Sequence, residues 1–70
     1  MEYLVVRYDD DRSVIIDGSS QGRTNQLIEL QQGTYHITLN PPDDFEPEYR
    51  EIVLRRTSVN QPREVIFEKI

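Results

Sequence analysis

The chain has 70 residues, no cysteine and a formal net charge of −5 at pH 7. This length predicts a single domain over residues 1–70 with a thin core, and the lack of cysteine excludes disulfides and thiolate metal sites. The acidic balance argues against nucleic-acid binding, because phosphate contacts require lysine and arginine.

No apolar run approaches the roughly 20 residues that cross a bilayer, and the N-terminus lacks the pattern of a signal peptide. As given, the chain is therefore expected to be cytoplasmic, whereas a fragment of a longer cell-envelope protein would have the same composition. No cofactor-binding motif is present in the sequence, and we expect no cofactor.

The first predicted strand covers residues 3–8, YLVVRY, which are rich in β-branched and aromatic side chains. It ends at three consecutive aspartates, Asp9–Asp11, whose side chains favour turns. Side chains alternate between the two faces of a strand, so every second residue from Leu4 points inward. Tyr3 and Val5 then point outward.

The second predicted strand is Arg12–Ile16, with Ile15 on its outer face. Asp17–Gly18 follows directly and predicts a tight hairpin turn, because glycine accepts the positive φ that such turns require. Gly22 indicates a second position of special backbone geometry or close packing. The polar segment Ser19–Gln21 between them is predicted to be a loop tip.

The third predicted strand is Asn25–Leu30. Gln31–Gly33 fits a three-residue hairpin loop whose final glycine adopts the left-handed conformation. The fourth strand, Thr34–Leu39, alternates most regularly, with its three apolar residues inward and His36 outward.

The second half of the chain begins with two prolines and an acidic loop over Asp43–Glu48. We expect Phe45 and Tyr49 to anchor this connection on the core. The last two predicted strands are Tyr49–Arg55 and Arg63–Glu68. No helical period of useful length occurs, and short strands at this spacing predict an all-β fold, a small antiparallel β-sandwich of about six or seven strands of the immunoglobulin-like kind.

Apolar residues and glycines recur at a recognisable spacing in the central part of the chain. The positions are Val14, Ile16, Asp17, Gly18, Gly22, Thr24, Leu27, Leu30, Gly33, Tyr35, Ile37, Leu39 and Phe45 to Tyr49. This spacing, over residues 13–54, resembles the PEGA domain. The family pattern has a strand ending in Ile-Asp-Gly, a Gly-x-Thr-Pro, a leucine-containing strand, a Pro-Glu-Gly turn and a tyrosine-containing strand.

The chain departs from this pattern at two places. Asn25 stands where proline usually follows the threonine, and Gln31–Thr34 replaces the Pro-Glu-Gly-Ala run. The resemblance implies a small sandwich akin to carboxypeptidase regulatory and transthyretin-like modules, often appended to envelope proteins or enzymes. It implies no catalytic residues, and we expect a protein that is not an enzyme.

His36 is the only histidine, and its outward position predicts an exposed strand residue rather than a metal ligand or catalytic base. The acidic runs Asp9–Asp11 and Asp43–Glu46 could supply oxygen ligands to calcium if both loops lay at one end of the sandwich. Their spacing does not match an EF-hand loop, and solvated turns explain both runs. We therefore expect no metal site.

Protein interaction is the function that the sequence favours. Five apolar residues fall opposite the predicted core rows and form a candidate interaction face: Tyr3, Val5, Ile15, Ile66 and Ile70. Clustered apolar surface on a sheet typically marks a contact with a protein partner or, in a homodimer, with a second copy. An unpaired edge strand could also recruit an extended partner, which leaves no pattern in the sequence. We expect a non-catalytic accessory or protein-interaction module.

Weak carbohydrate binding is the alternative. A β-sandwich is compatible with it, but sugar rings usually stack on exposed aromatic side chains, and the chain has no tryptophan. The available platforms are Tyr3, Tyr8 and Tyr49. This hypothesis therefore depends on analogy with other sandwiches more than on the residues themselves.

Overall fold

The computed structural model describes residues 1–70 and consists of strands and connections. The strands are β1 (Glu2–Arg7), β2 (Ser13–Ile16), β3 (Ser19–Arg23), β4 (Leu27–Leu30), β5 (Gly33–Leu39), β6 (Phe45–Glu46), β7 (Arg50–Leu54), β8 (Arg63–Ile66) and β9 (Glu68–Lys69). The predicted all-β fold is confirmed. The structure contains no helix of the length and apolar character that would span a membrane.

The strands form two main sheets and a small third one. The three-stranded sheet has the order β4-β1-β8, the four-stranded sheet has the order β3-β2-β5-β7, and β6 pairs with β9. All strand pairs are antiparallel except β1 with β8. A parallel pair needs a long crossover between its two strands, and β2 to β7 all lie between β1 and β8 in the chain.

The core lies between the two main sheets as one cluster of buried side chains. Burying each large apolar side chain contributes roughly 1.5–3 kcal/mol. Alternate residues of the strands supply most of the cluster, as the hydrophobic pattern predicts, while Tyr35 is only partly buried against it. The members are Leu4, Val6, Tyr8, Val14, Ile16, Ile28, Leu30, Ile37, Leu39, Phe45, Ile52, Leu54, Val65 and Phe67.

The segment Ser19–Gln21, predicted to be a loop tip, instead lies in β3. All residues of β3 are exposed, so this strand has no apolar alternation that a sequence pattern could detect. Antiparallel backbone pairing with β2 holds it at the edge of the four-stranded sheet. The predicted turn between β2 and β3 is confirmed: the φ angles of Asp17 and Gly18 are 50° and 85°.

Gly22 is required by both its backbone conformation and its packing. Its φ angle is 89°. A Cβ atom at this position would lie 2.8 Å from Cγ1 of Ile28, a core residue of β4. The absence of a side chain therefore allows β3 to approach β4 closely.

The prediction of a hairpin at Gln31–Gly33 is wrong. β4 belongs to the three-stranded sheet and β5 to the four-stranded sheet, so this connection crosses between the sheets. Gly33 is the first residue of β5, pairs with Leu54 and is not among the residues with positive φ. A short polar segment ending in glycine is equally compatible with a hairpin and with a crossing, and only the strand pairing distinguishes them.

Thr24 and Asn25 fasten the turn after β3 to the loop after β1. The buried hydroxyl of Thr24 accepts a hydrogen bond from the backbone N–H of Arg12 at 2.9 Å and donates one to the carbonyl of Asp10 at 2.6 Å. The side-chain amide of Asn25 donates to the carbonyl of Tyr8 at 2.7 Å and accepts from its N–H at 3.3 Å. The φ angle of Asn25 is 63°. Proline cannot adopt this angle, so the proline of the PEGA pattern does not fit the backbone of this chain.

Candidate interaction surfaces

The outer face of the three-stranded sheet carries three residues of the predicted interaction face: Tyr3, Val5 and Ile66. The prediction that Val5 is exposed is wrong, because only 6% of the residue is accessible. β1 is the central strand, and the register places Leu27 opposite Val5 on one side and Glu64 opposite it on the other. These lateral neighbours shield a small side chain, and the alternation within one strand does not reveal them.

Leu27 and Ile66 are the large apolar residues that this outer face exposes, at 47% and 56%. Together with Val5 and the half-buried Tyr3, they form what we call the apolar face: Tyr3, Val5, Leu27 and Ile66. Leu27 was not predicted as part of an interaction face, since its position beside Val5 depends on how the strands pair.

The other two residues of the predicted face lie elsewhere. Ile15 is half-buried in β2, in the four-stranded sheet on the opposite side of the sandwich. Ile70 is at the C-terminus, where its backbone N–H donates to the carbonyl of Asp44 at 3.0 Å. The predicted face is thus divided among three places, because the outer faces of two stacked sheets point in opposite directions.

The two acidic loops do meet at one end of the sandwich, as the calcium hypothesis required, but basic side chains of the same chain pair with them. Arg12, whose side chain is 12% exposed, lies 2.5 Å from Asp44 and 3.6 Å from Asp10. The ammonium of Lys69 lies 2.8 Å from Asp10. No three histidine, aspartate or glutamate side chains converge in an arrangement that could hold a metal ion.

Tyr8 connects this ion-pair network to the core. Its hydroxyl donates to the carbonyl of Asp44 at 3.0 Å, and its ring packs edge-on against Phe45. The hydrogen bond from Arg12 lowers the pKa of Asp44 to about 2, with a further contribution from Tyr8, although burial opposes the shift. Burial, followed by the hydrogen bond to Asp44, raises the pKa of Tyr8. These contacts give the network a structural role in joining two loops.

A groove of about 580 Å³ opens beside the outer face of β5. We call it the aromatic groove and define it by six of its lining residues: His36, Asp43, Glu46, Glu48, Tyr49 and Ile70. The rings of His36 and Tyr49 stack with their centroids 4.5 Å apart and their planes inclined by 20°. The groove combines this stack with three carboxylates and an exposed apolar side chain.

The expected anchors of the acidic connection behave differently from each other. Phe45 is buried in the core, as predicted, and packs edge-on against Phe67. The prediction that Tyr49 also packs on the core is wrong, because this residue is 50% exposed and stacks on His36. Tyr49 directly precedes β7, whose pairing with β5 brings the two rings together. The predicted exposure of His36 is confirmed.

Only one of the three predicted sugar platforms, Tyr49, is among the exposed residues. Tyr8 is buried and Tyr3 is half-buried. Tyr49 is half exposed, but His36 covers one face of its ring. A sugar that stacks on Tyr49 would therefore have only one face of its ring.

Fold and surfaces together define a class of protein, a small β-sandwich module with an apolar sheet face and a shallow groove. The PEGA domain family matches residues 9–64, and the chain belongs to this family. The match extends the predicted resemblance in both directions, to include the first acidic loop and the start of β8. Comparison with curated proteins and with solved structures gives no match.

Proposed function

We propose that this PEGA domain is a non-catalytic protein-interaction module that binds a partner protein through the apolar face. The observation that carries the proposal is the exposure of Leu27 and Ile66 on the same side of one sheet. Val5, which is almost fully buried, lies between them in the register, beside Leu27 and diagonally from Ile66. An apolar centre within a polar rim is typical of protein-binding surfaces.

The rim of the apolar face is charged. Arg7 stands opposite Ile66 in the register and forms an ion pair with Glu64 at 3.1 Å. Glu29 is exposed opposite Tyr3. Both members of the ion pair are about half exposed, so the pair contributes little to folding and can exchange partners at low cost. Charges of both signs around an apolar centre favour orientation and specificity of a complex.

Site-specific photo-crosslinking in the cells that produce the protein tests this proposal. A photoreactive amino acid is placed at position 27 or 66 in the apolar face, or at position 20 in the exposed edge strand β3 as a matched control. We expect a discrete cross-linked protein from positions 27 and 66 and none from position 20. Sedimentation of the purified chain then distinguishes a second copy from another protein as the partner.

A second substitution identifies the surface that makes the contact. With the probe at position 66, Leu27→Lys should abolish the cross-link, because it places a charge in the apolar face. Val53→Lys, which changes an exposed valine of β7 in the other sheet, should leave it intact. Equal cross-linking from all three probe positions, or equal loss with both lysine variants, would contradict the proposal.

A further inference from the structure

We propose that the aromatic groove is a second binding site, independent of the apolar face, and that it binds a peptide segment carrying arginine. The groove lies beside β5 of the four-stranded sheet, whereas the apolar face belongs to the three-stranded sheet. The aromatic groove and the apolar face have no residue in common, so each can be occupied or disrupted separately.

The aromatic stack provides the first reason for a cationic occupant. The ring of Tyr49 is held against His36 with 20° between the planes, which presents a fixed and half-exposed aromatic surface. A guanidinium group is attracted to the face of such a ring and is flat enough to stack on it. The pairing of β5 with β7 fixes this surface, so little flexibility is lost on binding.

The charge of the groove provides the second reason. Asp43, Glu46 and Glu48 line it, all three are exposed, and none of them takes part in an ion pair. The register adds Glu51 opposite His36 on the same face. The acidic residues paired elsewhere are Asp10, Asp11, Asp44 and Glu64. The groove thus concentrates negative charge on carboxylates that form no ion pair with a lysine or arginine of the chain.

The apolar part of the groove suits the stem of an arginine side chain. Ile70 is 70% exposed at its edge, and Phe45 lines the groove while it remains buried in the core. Arginine places its methylene groups along apolar surface and keeps its charged end in a polar environment. A neutral sugar would stack on the ring of Tyr49 but would form no ion pair with the three carboxylates. The negative charge of the groove therefore favours the basic peptide.

The test uses the folded 70-residue chain and a short acetylated peptide in which arginine alternates with serine. Titration of the isotope-labelled protein at low salt should shift the backbone amide signals of His36, Glu46, Glu48, Tyr49 and Ile70. The same peptide with citrulline in place of arginine has the same shape without the charge, and it should shift none of them. Added salt should weaken the binding, since the carboxylates are exposed.

Variants separate the groove from the general acidity of the protein. Tyr49→Ala should weaken the binding of the arginine peptide roughly threefold to tenfold, the loss expected for one cation–aromatic contact. The double variant Glu46→Gln and Glu48→Gln should weaken it by a similar factor. The matched control is the double variant Asp9→Asn and Glu29→Gln, which removes the same charge from exposed, unpaired residues outside the groove. It should leave the dissociation constant within about twofold of the wild type.

Three outcomes would overturn the proposal. The first is that the arginine peptide shifts no groove amides at millimolar concentration. The second is that the control double variant weakens binding as much as the groove variants, which would reduce the interaction to the overall charge of −5. The third is that cellohexaose or chitohexaose shifts the groove amides while the arginine peptide does not, which would make the groove a carbohydrate site.

Discussion

Arg12 and Asp44, which are 32 residues apart in the chain, make a two-point contact in which Nη1 lies 2.5 Å from Oδ1 and Nη2 lies 3.3 Å from Oδ2. The contact joins the connection between β1 and β2 to the connection between β5 and β6. The hydroxyl of Tyr8 also donates to Oδ1 of Asp44 at 3.2 Å, and the ammonium of Lys69 pairs with Asp10 at 2.8 Å. The loops at this end of the sandwich are therefore held by an ionised carboxylate.

Acid should weaken this contact in a defined range of pH. The pKa of Asp44 is lowered from 3.8 to about 2 in the folded protein, chiefly by the hydrogen bond from Arg12. A lowered folded-state pKa means that the stabilisation is fully present above about pH 5 and is lost as the pH falls from about 4 to 2. Asp44→Asn should lower the free energy of unfolding at pH 7 and flatten its dependence on pH in this range.

Urea unfolding at a series of pH values measures this effect. Asp43→Asn is the matched control, because its carboxylate is exposed and belongs to no ion pair. The free energy of unfolding of this variant should change with pH in parallel with that of the wild type. If Asp44→Asn also ran parallel to the wild type between pH 4 and 2, the ionised carboxylate would not hold the loops.

Asn25 should tolerate glycine far better than proline. Glycine keeps the φ angle of 63° but loses both side-chain hydrogen bonds to Tyr8, at a cost of about 1–3 kcal/mol. Proline is restricted to a φ angle near −65° and also removes the N–H that bonds the Val6 carbonyl at 2.7 Å, so it should cost more than about 3 kcal/mol. Chemical denaturation measures both free energies. Equal stability of the two variants would show that the backbone here is not constrained.

Gly22 and Gly33 should respond differently to substitution by alanine. Gly22→Ala should cost about 2–4 kcal/mol, because the new methyl group would lie 2.8 Å from Ile28 and the φ angle of 89° is strained for alanine. Gly33→Ala should be neutral or stabilising by up to about 1 kcal/mol, since its methyl group would only touch the ring of Tyr35 at 3.7 Å. Thermal unfolding compares the two variants. A reversed order would mean that the connection at Gly33 is the constrained one.

The inner rows of the sandwich could be predicted from the sequence because burial on one face leaves a period of two. Ile37 and Leu39 in β5, and Val65 with Phe67 at the end of the chain, follow this rule. β3 could not be predicted in this way, because all its side chains are exposed and only its backbone pairs. A hydrophobic pattern indicates which side chains are buried, so a strand with no buried side chain cannot be detected from such a pattern.

The candidate surfaces depended on strand pairing, which the pattern does not contain. The alternation of side chains along β1 predicts that Val5 is exposed. Because β1 is the central strand, however, residues of β4 and β8 flank Val5 on both sides. The stack of His36 on Tyr49 arises where β7 pairs with β5, and no local motif indicates it. A prediction of which strands are neighbours would have found both, since each surface joins residues from different strands.

Thr24 provides a test of buried polar contacts with an internal control. Its side chain is 2% exposed and satisfies both the N–H of Arg12 and the carbonyl of Asp10. Thr24→Val keeps the shape but leaves two backbone groups unpaired, so it should cost about 2–4 kcal/mol, whereas Thr24→Ser should cost about 1 kcal/mol for the lost methyl group. Thr34→Val, at an exposed position of β5, should change stability by less than about 0.5 kcal/mol. Urea unfolding measures the free energy of unfolding of the three variants. If Thr24→Val were as stable as Thr34→Val, the hydroxyl of Thr24 would not join the two turns. Packing alone would then account for the burial of this threonine.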